Sequence, residues 1–160
     1  MGLFSKIKIT KEIILTSPLQ GSIVPLESVP DETFAKKILG DGVAIEPTVG
    51  KLYSSADGVV LSVTDTGHAI SIQYDNGADV LMHIGVDTVE LKGDGYTPKV
   101  KTGHRVKKGE ELIAFDIDYI KARGYNLITP VIITNSDEFK SIEVSNGKAN
   151  FCDKLITLKK

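Results

Sequence analysis

An all-β fold, an antiparallel sandwich or barrel of short strands with short helices at its rim, is what this sequence predicts. Short β-type runs recur along its 160 residues with glycine, proline or aspartate turns between them. Helical periodicity is confined to two brief stretches. Asp75-Asn76-Gly77 lies between two apolar-rich runs, and Asn-Gly in that setting is the strongest short-range hairpin signal.

The β-type runs, in order, are residues 13–16, 21–26, 43–46, 58–64, 68–74, 80–84, 111–115, 131–134, 142–144 and 155–158. Between the second and third, Pro30 opens a stretch over 31–39 in which Phe34 and Ile38 stand i, i+4, enough for two helical turns. The second helical stretch is 116–123, stopped by Gly124 in the C-cap position. Three segments beginning at Ser17, Ser54 and Val106 share a turn closed by glycine and followed by a strand, as expected of a quasi-symmetric sandwich. Residues 103–116 have the rhythm of a lipoyl-type hairpin, but no lysine stands at a clear turn tip for modification.

A chain of this length reads as one domain able to bury its own core. We place that domain at residues 13–160, after a flexible tail of residues 1–12. The tail mixes Leu3, Phe4, Ile7 and Ile9 with Lys6, Lys8 and Lys11, so at most it supports peripheral contact with anionic lipid. Net charge is −2, with no basic excess to suggest nucleic acid. The single cysteine, Cys152, excludes an internal disulfide and fits a reducing compartment. No apolar run approaches the roughly 18 residues of a membrane span. A cytoplasmic protein is expected.

The chemistry concentrates on two histidines, His68 and His83, either side of the Asn-Gly turn. A loop centred on Asn76-Gly77 pairs Ile70 with His83 and leaves His68 one diagonal step away on the same face. A loop centred on Asp75-Asn76 sets the histidines directly opposite. A slip of one residue separates them. A neutral imidazole is a nucleophile near physiological pH, and phosphoryl transfer asks mostly for positioning and charge stabilisation. The second ring then holds the oxygens of the transferred group. Thr66 is placed to orient His68, and Gly85 to bring a backbone N–H close to a phosphate. Zinc is the competing chemistry, since two histidines on one face form a half-site. Asp87 lies too far along an extended segment to be the third ligand, His104 reads as an exposed turn residue, and no H-E-x-x-H arrangement is present.

At this point the residues resemble a family: the glucose-type enzyme IIA of the bacterial phosphoenolpyruvate-dependent sugar phosphotransferase system. The matching stretches are Pro18-Leu-Gln-Gly-Ser-Ile-Val, Phe34-Ala-Lys-Lys-Ile-Leu-Gly-Asp-Gly-Val-Ala-Ile-Glu-Pro and Thr66-Gly-His-Ala-Ile-Ser-Ile. Gly77-Ala-Asp-Val-Leu-Met-His-Ile-Gly-Val-Asp-Thr-Val-Glu-Leu-Lys-Gly-Asp-Gly, Val106-Lys-Lys-Gly-Glu-Glu-Leu and Thr129-Pro-Val-Ile-Ile-Thr-Asn follow in order.

The resemblance implies an antiparallel β-sandwich in which His83 is the phosphorylated histidine. It takes the phosphoryl group from the phosphocarrier HPr and passes it to the cysteine of a sugar-specific IIB domain. His68 is implied as the second active-site histidine and Thr66 as the threonine bonded to it. Phe34, Ile38, Leu39, Leu81 and Val89 fall on the apolar docking ring, and Asp31 and Asp87 on the acidic residues that meet basic side chains of HPr. No cofactor is required. Unphosphorylated members bind regulatory target proteins, and a zinc ion shared with such a partner would use His68 and His83 plus a carboxylate of the partner. Two departures stand out. The turn Ser55-Ala56-Asp57-Gly58 lacks the common proline, and Leu81 and Thr64 make a smaller, more polar lining where some members carry an aromatic residue.

Overall fold

The computed structural model describes residues 11–160. The chain forms β1 (Glu12–Thr16), β2 (Gly21–Pro25), the helical turn α1 (Glu32–Ala35), β3 (Asp41–Pro47), β4 (Lys51–Tyr53), β5 (Gly58–Val63), β6 (Ala69–Tyr74) and β7 (Asp79–His83). There follow β8 (Tyr96–Pro98), β9 (Arg105–Val106), β10 (Glu111–Phe115), α2 (Ile117–Ala122), β11 (Thr129–Ile133), β12 (Ser141–Val144), β13 (Gly147–Ala149) and β14 (Lys154–Lys159). Short 3-10 turns occupy Leu26–Ser28, Thr88–Leu91 and Ser136–Glu138. Residues 1–10 of the expected tail fall outside the described residues, and Glu12 already pairs with Lys159 in a sheet.

An eight-stranded sheet, ordered β13-β2-β3-β11-β7-β6-β5-β9, carries the molecule, with two three-stranded sheets, β1-β14-β12 and β4-β10-β8. All ten runs read from the sequence fall on strands, and the fold is the expected antiparallel sandwich. Four further strands, β4, β8, β9 and β13, are only two or three residues long, too short to show period-two alternation. Residues 103–116 do not form a hairpin: β9 pairs with β5, whereas β10 pairs with β4 and β8.

The main core lies on one face of the large sheet and gathers Ile45, Ile70, Ile72, Met82, Val131 and Ile133 with Leu52, Leu112, Ile113 and Ile156. A second, smaller core covers the other face at its centre: Leu26, Val29 and Phe34 pack on Ala44, Ile132, Val86 and Ile128, with Leu81 against them. Central strands are therefore buried on both sides, which is why β11 reads Thr-Pro-Val-Ile-Ile with every residue buried. The three similar turns pack together. Tyr53 N–H donates to Pro18 O at 2.8 Å, Ser54 N–H to Glu110 O at 2.9 Å and Gly109 N–H to Ser54 O at 2.8 Å.

The first helix departs from expectation. Asp31 caps it, its carboxylate accepting from Thr33 N–H at 2.9 Å. Only one turn forms, because Lys37 takes a left-handed φ of 59°, its ammonium bridging Glu27 at 3.1 Å and Asp41 at 3.4 Å. Ile38 is thereby released from the Phe34 face and is 67% exposed. The second helix matches: Asp116 accepts from Tyr119 N–H at 3.0 Å, and Gly124 follows at φ 88°.

Candidate active site

The β6–β7 hairpin differs from both registers read from the sequence. Ala69, not Ile70 or His68, lies opposite His83, and Gln73 opposite Asp79. The turn has three residues, with Gly77 at φ 102° and its N–H bonded to Tyr74 O at 3.1 Å. Gly77 carries the left-handed step that such a three-residue loop needs. Alternation in this register sends side chains 68 and 83 to opposite faces.

The rings meet nonetheless, their centroids 5.0 Å apart and their planes at 78°. They can because His68 stands just outside β6, at the end of the turn from β5, where the pleat no longer dictates direction. Its carbonyl still accepts from Ile84 N–H at 2.7 Å, while its ring is tethered back across the turn. Thr66 Oγ1 lies 2.6 Å from Nδ1, the contact expected of Thr66, and Thr64 Oγ1 lies 3.3 Å from the same atom. Thr64 figured in the sequence only as part of the lining.

His83 ends β7 on the outer face, and the buried ring of Phe34 lies 5.1 Å from its own, tilted by 51°. Its Nδ1 is 2.7 Å from Gly85 O. A carbonyl only accepts, so Nδ1 carries the hydrogen and Nε2 keeps a free lone pair. Gly85 thus orients the ring through its carbonyl. The turn holding that carbonyl is pinned: Thr88 Oγ1 and Tyr96 OH both donate to Ile84 O, at 2.7 and 2.8 Å, and Val86 N–H donates to Asn126 O at 2.9 Å. Burial pushes the Tyr96 phenol up to about 12, so it stays a donor.

Gly85 has φ 91°, and a Cβ there would lie 2.5 Å from Thr88 Cγ2 and 3.0 Å from Asn126 O. Gly85→Ala is expected to lose about 1–3 kcal/mol from backbone strain, read as a lower Tm. It also displaces the carbonyl that orients His83.

Of the expected ring, Phe34 is buried and Leu81 half-buried, both in the second core. Ile38, Leu39 and Val89 are exposed, at 67, 39 and 53%. Asp31 caps α1, and Asp87, at φ 59°, leads into the turn Thr88–Leu91. Both carboxylates favour the charged form of His83.

Burial is the larger influence on both rings. It pushes His68, with the charge of His83 adding, down to about 4, and it lowers His83 against the pull of the Gly85 carbonyl and the two carboxylates. Both imidazoles are therefore neutral near pH 7. Phosphoryl acceptance should hold its rate as pH falls from neutrality through 6.5, the ordinary histidine value, in an initial-rate titration. His68 binds a proton more readily unfolded than folded. The fold should therefore lose stability as pH falls from 6.5 towards about 4, and His68→Gln should remove part of that loss.

A surface cavity of about 700 Å³ is lined by Thr48, Gly50, Phe115 and Asp116 and contains neither histidine. An imidazole with a free lone pair, standing at the surface beside an apolar cluster, fits the class of proteins that pass a group to and from other proteins.

The family is shown directly. The model for the phosphoenolpyruvate-dependent sugar phosphotransferase system, EIIA 1, matches residues 13–139, and the chain belongs to that family. It is 47% identical over 142 residues to the glucose-specific EIIA component of Oceanobacillus iheyensis, covering 87% of this chain and 86% of that protein. It is also 47% identical over 137 residues to the beta-glucoside-specific EIIBCA component of Dickeya chrysanthemi, covering 85% of this chain and 22% of that longer protein. Among solved structures, the glucose permease IIA of Mycoplasma capricolum superposes with a TM-score of 0.86 at 31% identity, covering 92% of this chain and 96% of that one. The chain is a phosphotransferase component, a phosphoryl relay in sugar uptake. Among the described residues no helix is long and apolar enough to cross a membrane.

Proposed function

We propose that His83 is the covalent carrier of this relay, charged by phospho-HPr and discharged to the cysteine of a sugar-specific IIB domain. The observation that carries this reading is the locked Nδ1 of His83, 2.7 Å from Gly85 O, with the second imidazole centred 5.0 Å away. In the first step the Nε2 lone pair attacks phosphorus, a P–N bond forms, and the P–N bond of the donor breaks. In the second a thiolate takes the phosphoryl group, and the electron pair returns to Nε2. His68 supports the phosphoryl oxygens and Thr66 holds His68.

Phe34, Ile38, Leu39, Leu81 and Val89 form the apolar surface that excludes water from the P–N bond while a partner is docked. Asp31 and Asp87 meet basic groups on HPr and serve encounter and orientation more than affinity. Two relatives equally similar to this chain carry different sugar names, which supports assigning the choice of sugar to the acceptor. The relay works in the cytoplasm, and its unphosphorylated form presents the same hollow to regulatory targets. A zinc ion there would take Nε2 of His68 and of His83. Among the described residues no group of three potential metal ligands exists, so the remaining ligands, including a carboxylate, come from the partner.

The test is incubation of the full chain with phosphoenolpyruvate, enzyme I and HPr. An acid-labile phosphohistidine is expected, and its absence would overturn the reading.

A further inference from the structure

We propose that Thr64 is a second positioning residue for His68, its hydroxyl joining that of Thr66 in making Nδ1 an acceptor and keeping the ring hydrogen on Nε2. This rests on reading the histidine pair as the phosphoryl site.

The hydrogen-bond inventory of the β5–β6 turn carries the assignment. Thr64 O is taken by Gly67 N–H at 2.9 Å, so Ala69 N–H turns instead to Thr64 Oγ1 at 3.2 Å. With its oxygen accepting there, the hydroxyl has one hydrogen left to give. Two acceptors lie within reach, His68 Nδ1 and Ala69 O, each at 3.3 Å. Ala69 O already receives Thr64 N–H at 3.1 Å. Thr66 Oγ1, at 2.6 Å, has His68 Nδ1 as its one hydrogen-bond partner among the described residues.

If Nδ1 carried the hydrogen, the Thr66 hydroxyl would have no acceptor in the turn, and Thr64 would give its hydrogen wholly to the second lone pair of Ala69 O. If Nδ1 accepts, its one lone pair takes the Thr66 hydroxyl at 2.6 Å, and the Thr64 hydroxyl divides its hydrogen between that nitrogen and Ala69 O, each at 3.3 Å. The hydrogen then sits on Nε2, the nitrogen free to donate to a phosphoryl oxygen on His83. The opposite tautomer would present a lone pair to an anion. Burial keeps the ring neutral, so the tautomer alone decides which nitrogen donates.

The experiment uses the full chain labelled with nitrogen-15 histidine, unphosphorylated, with long-range proton–nitrogen correlation reporting each tautomer. Wild type should show His68 protonated at Nε2. Thr64→Val should let the Nδ1–H form appear and slow delivery to the IIB cysteine about three- to tenfold, the weight of one neutral hydrogen bond. Thr64→Ser should restore both. Because valine also strips Ala69 N–H of its partner, Thr66→Val is the second variant: Thr64 alone should keep Nε2–H the majority form there, and the double variant should lose it. A wild-type ring protonated at Nδ1, a Thr64→Val protein like wild type, or a serine variant behaving like valine would each overturn the proposal. Since the tautomer is read without phosphate, failure of the phosphorylation assay with the expected tautomer would sink the phosphoryl reading alone.

Discussion

His83→Ala should abolish phosphoryl acceptance. Of the three histidines in the chain, His83 alone pairs a hydrogen-bearing, locked Nδ1 with a free Nε2 lone pair beside the second apolar core. His104 is exposed and its Nδ1 accepts from Lys101 N–H at 3.2 Å. His68 is a buried residue, 6% exposed, with its Nδ1 against two hydroxyls. The expected outcome is no acid-labile label on the variant, with its circular dichroism unchanged because the ring lies outside the main core. Label that persists and maps to His68 would reverse the assigned roles.

His68→Gln should spare acceptance and damage delivery. The glutamine amide can occupy much of the imidazole's place, so the nucleophile on His83 survives and acceptance from phospho-HPr should stay within a few-fold of wild type. Delivery asks more of position 68, since charge building on the phosphoryl oxygens must be met by a donor fixed in advance. Glutamine keeps an N–H but not its fixed position; losing one preorganised donor typically lowers kcat by about 10²–10³-fold, and the transfer to a IIB cysteine should fall towards that range. Single-turnover measurements of the two half-reactions separate the effects. Equal loss in both would mean that His68 merely shapes the nucleophile.

The strand pattern was legible because most strands have one face on the main core and one turned outward, which imprints alternation on runs of four residues or more. It failed for β4, β8, β9 and β13, each only two or three residues long. The first helix was misread in length: Phe34 and Ile38 suggested a second turn, but the ion pairs of Lys37 with Glu27 and Asp41 accompany a left-handed turn that ends it. Thr64 went unnoticed as a partner of His68 because nothing in its local sequence distinguishes a hydroxyl that closes a turn from one that faces water.

The composition and order of residues determined, unaided, an antiparallel sandwich, a hairpin at Gly77 and the pair of histidines to which we assign the chemistry. Alternation and turn preference are local properties, and neighbouring residues suffice to express them. Only the tertiary structure decided how those histidines meet. In the observed register pleating alone would part them, and contact arises from a residue displaced beyond its strand and roped back by hydroxyls from the preceding turn. The turn bearing the carbonyl that sets the His83 tautomer is likewise held by Thr88, Tyr96 and Asn126. The threonine contacts are near in order and those of Tyr96 and Asn126 distant, but in each case the packed fold sets where the side chain points, which no periodic pattern encodes.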